Sequence, residues 1–128
     1  FAAAAAQAEA GREANGATVA AWRAQLLAAL PASMHVNVPP QTPHVPHIVN
    51  LFTGVPSGEA LRQADAAQIA LAAGSACTSA TEGSHVLQAM GLHDAAARSL
   101  RISLSHTTAS EDLSRLAAYL EKLGHDRS

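Results

Sequence analysis

His47-Ile-Val-Asn-Leu-Phe-Thr53 is a run of β-branched, aliphatic and aromatic residues and reads as a strand, the central element of the chain. Upstream, His35-Val-Asn-Val38 reads as a shorter strand, and Pro39, Pro40, Pro43 and Pro46 make a stiff, extended connector and a hinge candidate between them. Residues 2–30 read as helix, with Val19, Trp22, Leu26, Leu27 and Leu30 at three- and four-residue spacing. Gly11, Asn15 and Gly16 predict a break or kink in its middle, and Pro31 its end. Downstream, Ser57 is expected to cap a helix through about Asp65, with Glu59 in its first turn. Gln68–Ala73 is a third apolar run of strand length, and Gly74–Gly83 is small and polar enough to be a loop. Ser84 is expected to cap a short helix to Met90, with Gly91 at its C′ position. Leu100–Ser105 alternates as a half-buried strand does. Thr108-Ala-Ser-Glu111 reads as a capping box opening a last helix, whose Leu113, Leu116, Leu120 and Leu123 share a face. The expected fold is therefore α/β of the α+β type, a small sheet with helices packed on one face.

The 128 residues suit one domain, and 48% hydrophobic with 14% charged residues is a globular composition. Roughly a quarter of the chain is alanine and only 3% is aromatic, so the core has to come from Ala, Leu, Val and Ile. A net charge of −2 argues against a nucleic-acid footprint, and no apolar run approaches the roughly 20 residues of a membrane span. Ala2–Ala6 lacks the basic flank and cleavage pattern of a signal peptide. One cysteine excludes an intrachain disulfide framework and suits a reducing compartment, so a cytoplasmic location is expected. Phe1, rather than methionine, opens the chain in helical composition, which predicts a piece of a longer protein, with processing as the alternative explanation.

The chemistry concentrates in Gly74-Ser-Ala-Cys-Thr-Ser79, a thiol among small residues that let a substrate approach closely. Cysteine attacks as the thiolate, and nearby cations or dipoles lower its pKa. An inert buried side chain is the commoner fate of a free cysteine, and composition alone favours it for Cys77. The histidines point nowhere in particular. His44 and His47 are three apart among prolines, without helical ligand spacing, and His85 belongs in the first turn of its helix. No paired Cys or His-Glu motif supports a metal site, and no protease signature surrounds Cys77.

The longer pattern changes the balance. Gly74-Ser-Ala-Cys-Thr-Ser79, Ser84-His-Val-Leu-Gln-Ala-Met-Gly-Leu92 and Leu100-Arg-Ile-Ser-Leu104 with Thr107-Thr108 resemble, in order, the C-terminal part of cysteine desulfurases. His47-Ile-Val-Asn-Leu51, Gly54-Val55 and Gly58-Glu-Ala-Leu61 resemble the strand and helix that precede the loop there, so the resemblance spans about residues 47–123. The Ala-Cys-Thr-Ser form resembles the long-loop branch of the family. The resemblance implies the small C-terminal domain of the class V aminotransferase fold, laid out as a helical segment 1–30, a Pro-rich connector 31–46 and a core 47–128 with the cysteine loop. It implies Cys77 as nucleophile and persulfide carrier and Arg101 as the arginine that holds the substrate carboxylate. A soft thiolate suits attack on sulfur, and a planar guanidinium suits a carboxylate. Without the pattern, Arg101 reads as a surface cation on a strand.

Two departures accompany the match. Glu82-Gly83-Ser84 stands where the family commonly has Glu-Pro-Ser, with the preceding segment one residue shorter, and Ser103-Leu-Ser-His106 where it commonly has Ser-Leu-Gly-Arg. The family uses pyridoxal phosphate, which needs a Schiff-base lysine, yet the only lysine is Lys122, on the last helix and outside any family motif. The expectation is a small domain whose large cofactor-binding domain lies outside the chain, with no cofactor bound and no turnover by the chain alone. The parent would be a homodimeric sulfurtransferase acting on L-cysteine, releasing alanine and passing sulfur to an iron–sulfur scaffold or another acceptor protein. Two alternatives stand beside it: another class V aminotransferase-fold enzyme, such as a selenocysteine lyase or an aminotransferase, and a non-enzymatic sulfur-carrier or interaction module.

Overall fold

In the computed structural model, which describes residues 1–74 and 83–125, five helices accompany a three-stranded antiparallel sheet. Helix α1 spans Ala2–Ala28, β1 His35–Val36, β2 Ile48–Phe52 and α2 Ser57–Ala66. Then come α3 at His85–Ala89, α4 at His93–Ala97, β3 at Ser99–Ser103 and α5 at Ser110–His125. The strands lie in the order β1-β2-β3, with β2 in the middle as its apolar sequence demands.

Register decides which residues form the core. Val49 faces Ile102 and Leu51 faces Leu100 across the β2–β3 pair, and all four are buried on one face of the sheet. That face meets Leu113, Leu116, Leu120 and Leu123 of α5, Ala60 and Ala64 of α2, and Val19 and Leu26 of α1 in one apolar cluster. The amphipathic stripe of α5 is the reason it lies there, since a face of leucines at helical spacing has to be covered. Tyr119 joins the same stripe and donates its hydroxyl to the Ala60 carbonyl at 2.6 Å, tying α5 to α2. Arg115 donates to the Ala67 and Gln68 carbonyls at 3.1 and 3.2 Å and so caps the C-terminal end of α2.

The expected fold class is the one observed, with the three longer helices on one face. The opposite face is partly covered as well. Leu87 of α3 and Ala95 and Ala96 of α4 form a small second cluster against Phe52, and His35 stacks on the same ring with centroids 4.8 Å apart.

Several local expectations need correction. Helix α1 runs unbroken through Gly11, Asn15 and Gly16. A glycine costs a helix only about 1 kcal/mol against alanine, and the alanine-rich flanks offset it. The proline connector is not extended throughout: it carries a turn, with Thr42 N donating to Pro39 O at 3.0 Å, and its flanking strands β1 and β2 pair directly, so it closes a hairpin. Pro56, not Ser57, is the N-cap of α2, because the Ser57 hydroxyl lies 2.9 Å from both the Ala97 and Ser99 carbonyl oxygens and serves them instead. Gln68–Ala73 forms only a single bridge, Ala72 to Arg101. Only half of the capping box forms, and one residue later, because the N-cap Ala109 has no side-chain acceptor. The Asp112 carboxylate accepts from Ala109 N at 3.2 Å, while the Thr108 hydroxyl accepts from Ser105 N at 2.9 Å. Ser84 does cap α3, its hydroxyl accepting from Leu87 N at 3.4 Å, and Gly91 follows at φ +78°.

Candidate functional site

Arg101 sits mid-strand in β3, between β2 and the bridge to Ala72. On one side β2 pairs with it through the register Asn50 to Arg101. On the other, Arg101 N donates to Ala72 O at 2.6 Å and Ala72 N donates to Arg101 O at 3.2 Å. Alternation along β3 buries Leu100 and Ile102 and turns Arg101, half-buried, to the opposite face. There its Nη1 donates to the Gly74 carbonyl at 3.4 Å.

The guanidinium lines a cleft of about 290 Å³, together with Asn37, Asn50, Gly74, Ser84, His85 and Met90. Among the described residues lining it there is no carboxylate, so the cleft presents the Arg101 cation and the polar groups of Asn37, Asn50 and Ser84 beside the apolar side chains of Val38, Val86, Leu87 and Met90. That arrangement suits a small anion, with the planar guanidinium as its main donor. Gly74 and Ser84, which bracket the cysteine stretch in sequence, are both at its wall. Cys77 itself, and most of the loop expected at Gly74–Gly83, lie outside the described residues.

The polar floor of the cleft is not evident from sequence reasoning. Asn37 donates through Nδ2 to Asn50 Oδ1 and to Ser99 Oγ, the latter at 2.8 Å, so one carboxamide spans all three strands. The one signal lies in β2, where Asn50 interrupts an otherwise apolar run at a position facing away from the core. His85 begins α3, as expected, and is exposed at the cleft rim. His44 bonds only locally, its Nδ1 2.8 Å from Thr42 O. Among the described residues no group of three or more His, Cys, Asp or Glu side chains is placed to hold a metal ion. No described helix is long and apolar enough to cross a membrane.

The fold is that of the small domain of the aminotransferase fold, as found in NifS-like proteins. The chain superposes with TM-score 0.74 on the X-ray structure of the NifS-like protein from Rickettsia africae ESF-5, at 22% identity, covering 91% of this chain and 30% of that one. A second NifS-like protein gives TM-score 0.71 at 18% identity, covering 94% of this chain and 30% of its own. In sequence, the chain is similar to cysteine desulfurases. It is 43% identical over 93 residues to the cysteine desulfurase of Frankia sp. (strain EuIK1), a match covering 70% of this chain and 21% of the relative. The cysteine desulfurase IscS of Buchnera aphidicola subsp. Baizongia pistaciae (strain Bp) is 42% identical over 71 residues, 54% of this chain and 17% of the relative. The resemblance carried by the motifs therefore holds, and the chain spans about a fifth of the length of these curated relatives. No family model matches the chain.

Proposed function

We propose that residues 1–128 are the C-terminal small domain of a cysteine desulfurase, with a helical segment 1–30, a Pro-rich connector 31–46 and a core 47–128 that bears the sulfur-carrying cysteine. The observation that carries this reading is the Arg101 cleft, a cationic recess flanked by the two ends of the stretch containing Cys77. In this reading Arg101 binds the carboxylate of L-cysteine. Cys77 lies three residues beyond Gly74, and three extended residues reach at most about 11 Å.

The net reaction balances without any added oxidant. L-cysteine and the Cys77 thiol give alanine and a Cys77 persulfide: the substrate exchanges a C–S bond for C–H, and the carrier gains S–S. Sulfur capture needs Cys77 as the thiolate, the nucleophilic form of a cysteine. The persulfide then serves iron–sulfur assembly or thiolation through an acceptor protein, in a homodimeric cytoplasmic enzyme.

Pyridoxal phosphate, the cofactor this reading implies, needs a lysine for its Schiff base. Lys122 does not fit that role. It is exposed on α5 beside Gln63, Ala66 and Tyr119, and α5 packs on the sheet face opposite to Arg101. The remainder of the parent protein has to hold the cofactor.

The test is made in the parent enzyme. Cys77→Ala abolishes sulfide release while the absorbance of the bound cofactor is kept. Arg101→Ala keeps that absorbance too but weakens L-cysteine about thirty-fold or more, the usual loss when a charge-assisted pair is truncated. Full desulfurase activity in Cys77→Ala would overturn the assignment.

A further inference from the structure

Asn50 is the cross-strand neighbour of Arg101, and the ladder sets how close the two side chains stand. Thr53 N donates to Arg98 O at 2.9 Å and Leu104 N to His47 O at 2.8 Å. Hydrogen-bonded pairs alternate along an antiparallel ladder, so counting from either bond makes Asn50–Arg101 a non-hydrogen-bonded pair. Such pairs bring their side chains closest, with Cα atoms about 4.5 Å apart. Both residues also line the same cleft.

The carboxamide of Asn50 has a defined orientation. Asn37 N donates to Asn50 O at 3.0 Å, which locks β1 beside it, and Asn37 Nδ2 donates to Asn50 Oδ1. The acceptor end of Asn50 is thus turned toward Asn37, and its amide N–H groups are left as the free end. Ser99 Oγ, at 2.8 Å from the same Asn37 nitrogen, holds Asn37 in place. With the opposite orientation, Asn50 Oδ1 would be free to accept from the guanidinium and compete with an anion for it. As arranged, the pair offers donors only.

We propose that Asn50 is a second carboxylate-binding residue of the Arg101 cleft, turned by Asn37 so that its amide N–H groups face the ligand. This rests on the reading of the cleft as the site of the L-cysteine carboxylate. A planar carboxylate has two oxygens, and a guanidinium with an adjacent carboxamide supplies donors to both. Asn37 is a positioning residue, acting only through Asn50.

The test uses the holoenzyme with L-cysteine as substrate and L-alanine as a carboxylate-bearing product titrated by calorimetry. Asn50→Ala raises KM for L-cysteine and the dissociation constant for L-alanine about tenfold, as expected for a bond to a charged acceptor, with kcat within twofold. Asn50→Asp keeps the shape of the side chain but sets a negative charge beside the ligand, and weakens both further than Asn50→Ala does. It also keeps the test open if Asn50→Ala fails to fold. An Asn50 variant with unchanged KM and unchanged L-alanine affinity, or one that loses kcat alone, overturns the proposal. Arg101→Ala separates the two levels. If it weakens L-cysteine while the Asn50 variants do not, only the Asn50 assignment falls. If it too leaves binding unchanged, the carboxylate reading of the cleft falls with it.

Discussion

Tyr119 and Arg101 each owe their chemistry to where the fold puts one side chain. Arg101 has a fixed backbone position because its own N–H and C=O both bond Ala72 while its strand pairs with β2, and its guanidinium donates to the Gly74 carbonyl. Tyr119 is buried in the α5 stripe, and burial pushes its phenol up to about 12 from the ordinary 10. The sign of the pH effect follows directly. Between about pH 10 and 12 the folded state keeps a proton that the unfolded chain releases, so stability is full below pH 10 and falls as pH rises through that window. The loss across the window amounts to at most about 2–3 kcal/mol, and to less where solvent screens the phenol. Tyr119→Phe is expected to lose about 1 kcal/mol at neutral pH with the bond to Ala60 O, and to flatten the decline above pH 10. Denaturant unfolding of both proteins across pH 7 to 12 checks this, and equal slopes above pH 10 would contradict it.

At the scale of elements, the approach to α3 is where this chain departs from the commoner family pattern, and the structure gives the reason a proline does not belong there. Gly83 adopts φ +69°, a value closed to proline, whose ring holds φ near −65°. A Cβ at Gly83 would press against the Ala96 carbonyl oxygen, the same oxygen that accepts from Ser84 N at 2.9 Å and joins α3 to α4. Gly91 has a similar φ of +78°, yet a Cβ there meets nothing within 4 Å. The two glycines therefore separate backbone strain from steric collision. Gly91→Ala is expected to cost about 1–2 kcal/mol, the left-handed penalty alone, and Gly83→Ala clearly more. Equal losses in denaturant unfolding would mean that the Ala96 contact yields freely. The elements most legible in sequence are those with a strong periodic pattern. Helix α5 and the strands β2 and β3 announce their buried faces through their leucines, valines and isoleucines, within a residue or two of the observed ends. Helix α4 is not legible there, because five residues, His93–Ala97, are too few to show a periodic face.

For the whole molecule, the layering separates two kinds of surface. One sheet face is sealed by α1, α2 and α5, while the other holds Arg101, Asn50 and the cleft, with Val86 and Met90 of the α3 region exposed beside it. In the proposed function this domain supplies the carboxylate site and the sulfur-accepting thiol, and the cofactor belongs to a second body. The chain by itself is accordingly expected to form no stoichiometric Schiff base. After incubation with pyridoxal phosphate and gel filtration, it should carry none of the absorbance of bound cofactor. A retained one-to-one adduct, mapped to Lys122, would overturn this division of labour.

The sequence by itself determined the types of the longer elements, the apolar faces that had to meet, and the residues worth watching. These are properties of local pattern: an apolar run at β2, alternation at β3, leucines at helical spacing in α5, and motifs around Cys77 and Arg101 read in order along the chain. Tertiary structure alone decided how polar groups pair across distance. Ser57 has the local context of a cap, but the carbonyls of Ala97 and Ser99, 40 and 42 residues away, take its hydroxyl. Asn37 and Asn50 are incidental strand residues in any local reading, and the register sets them beside Arg101. A hydrogen bond needs a partner at about 3 Å in the right direction, and which remote residue arrives there is a consequence of register and packing that no local window contains.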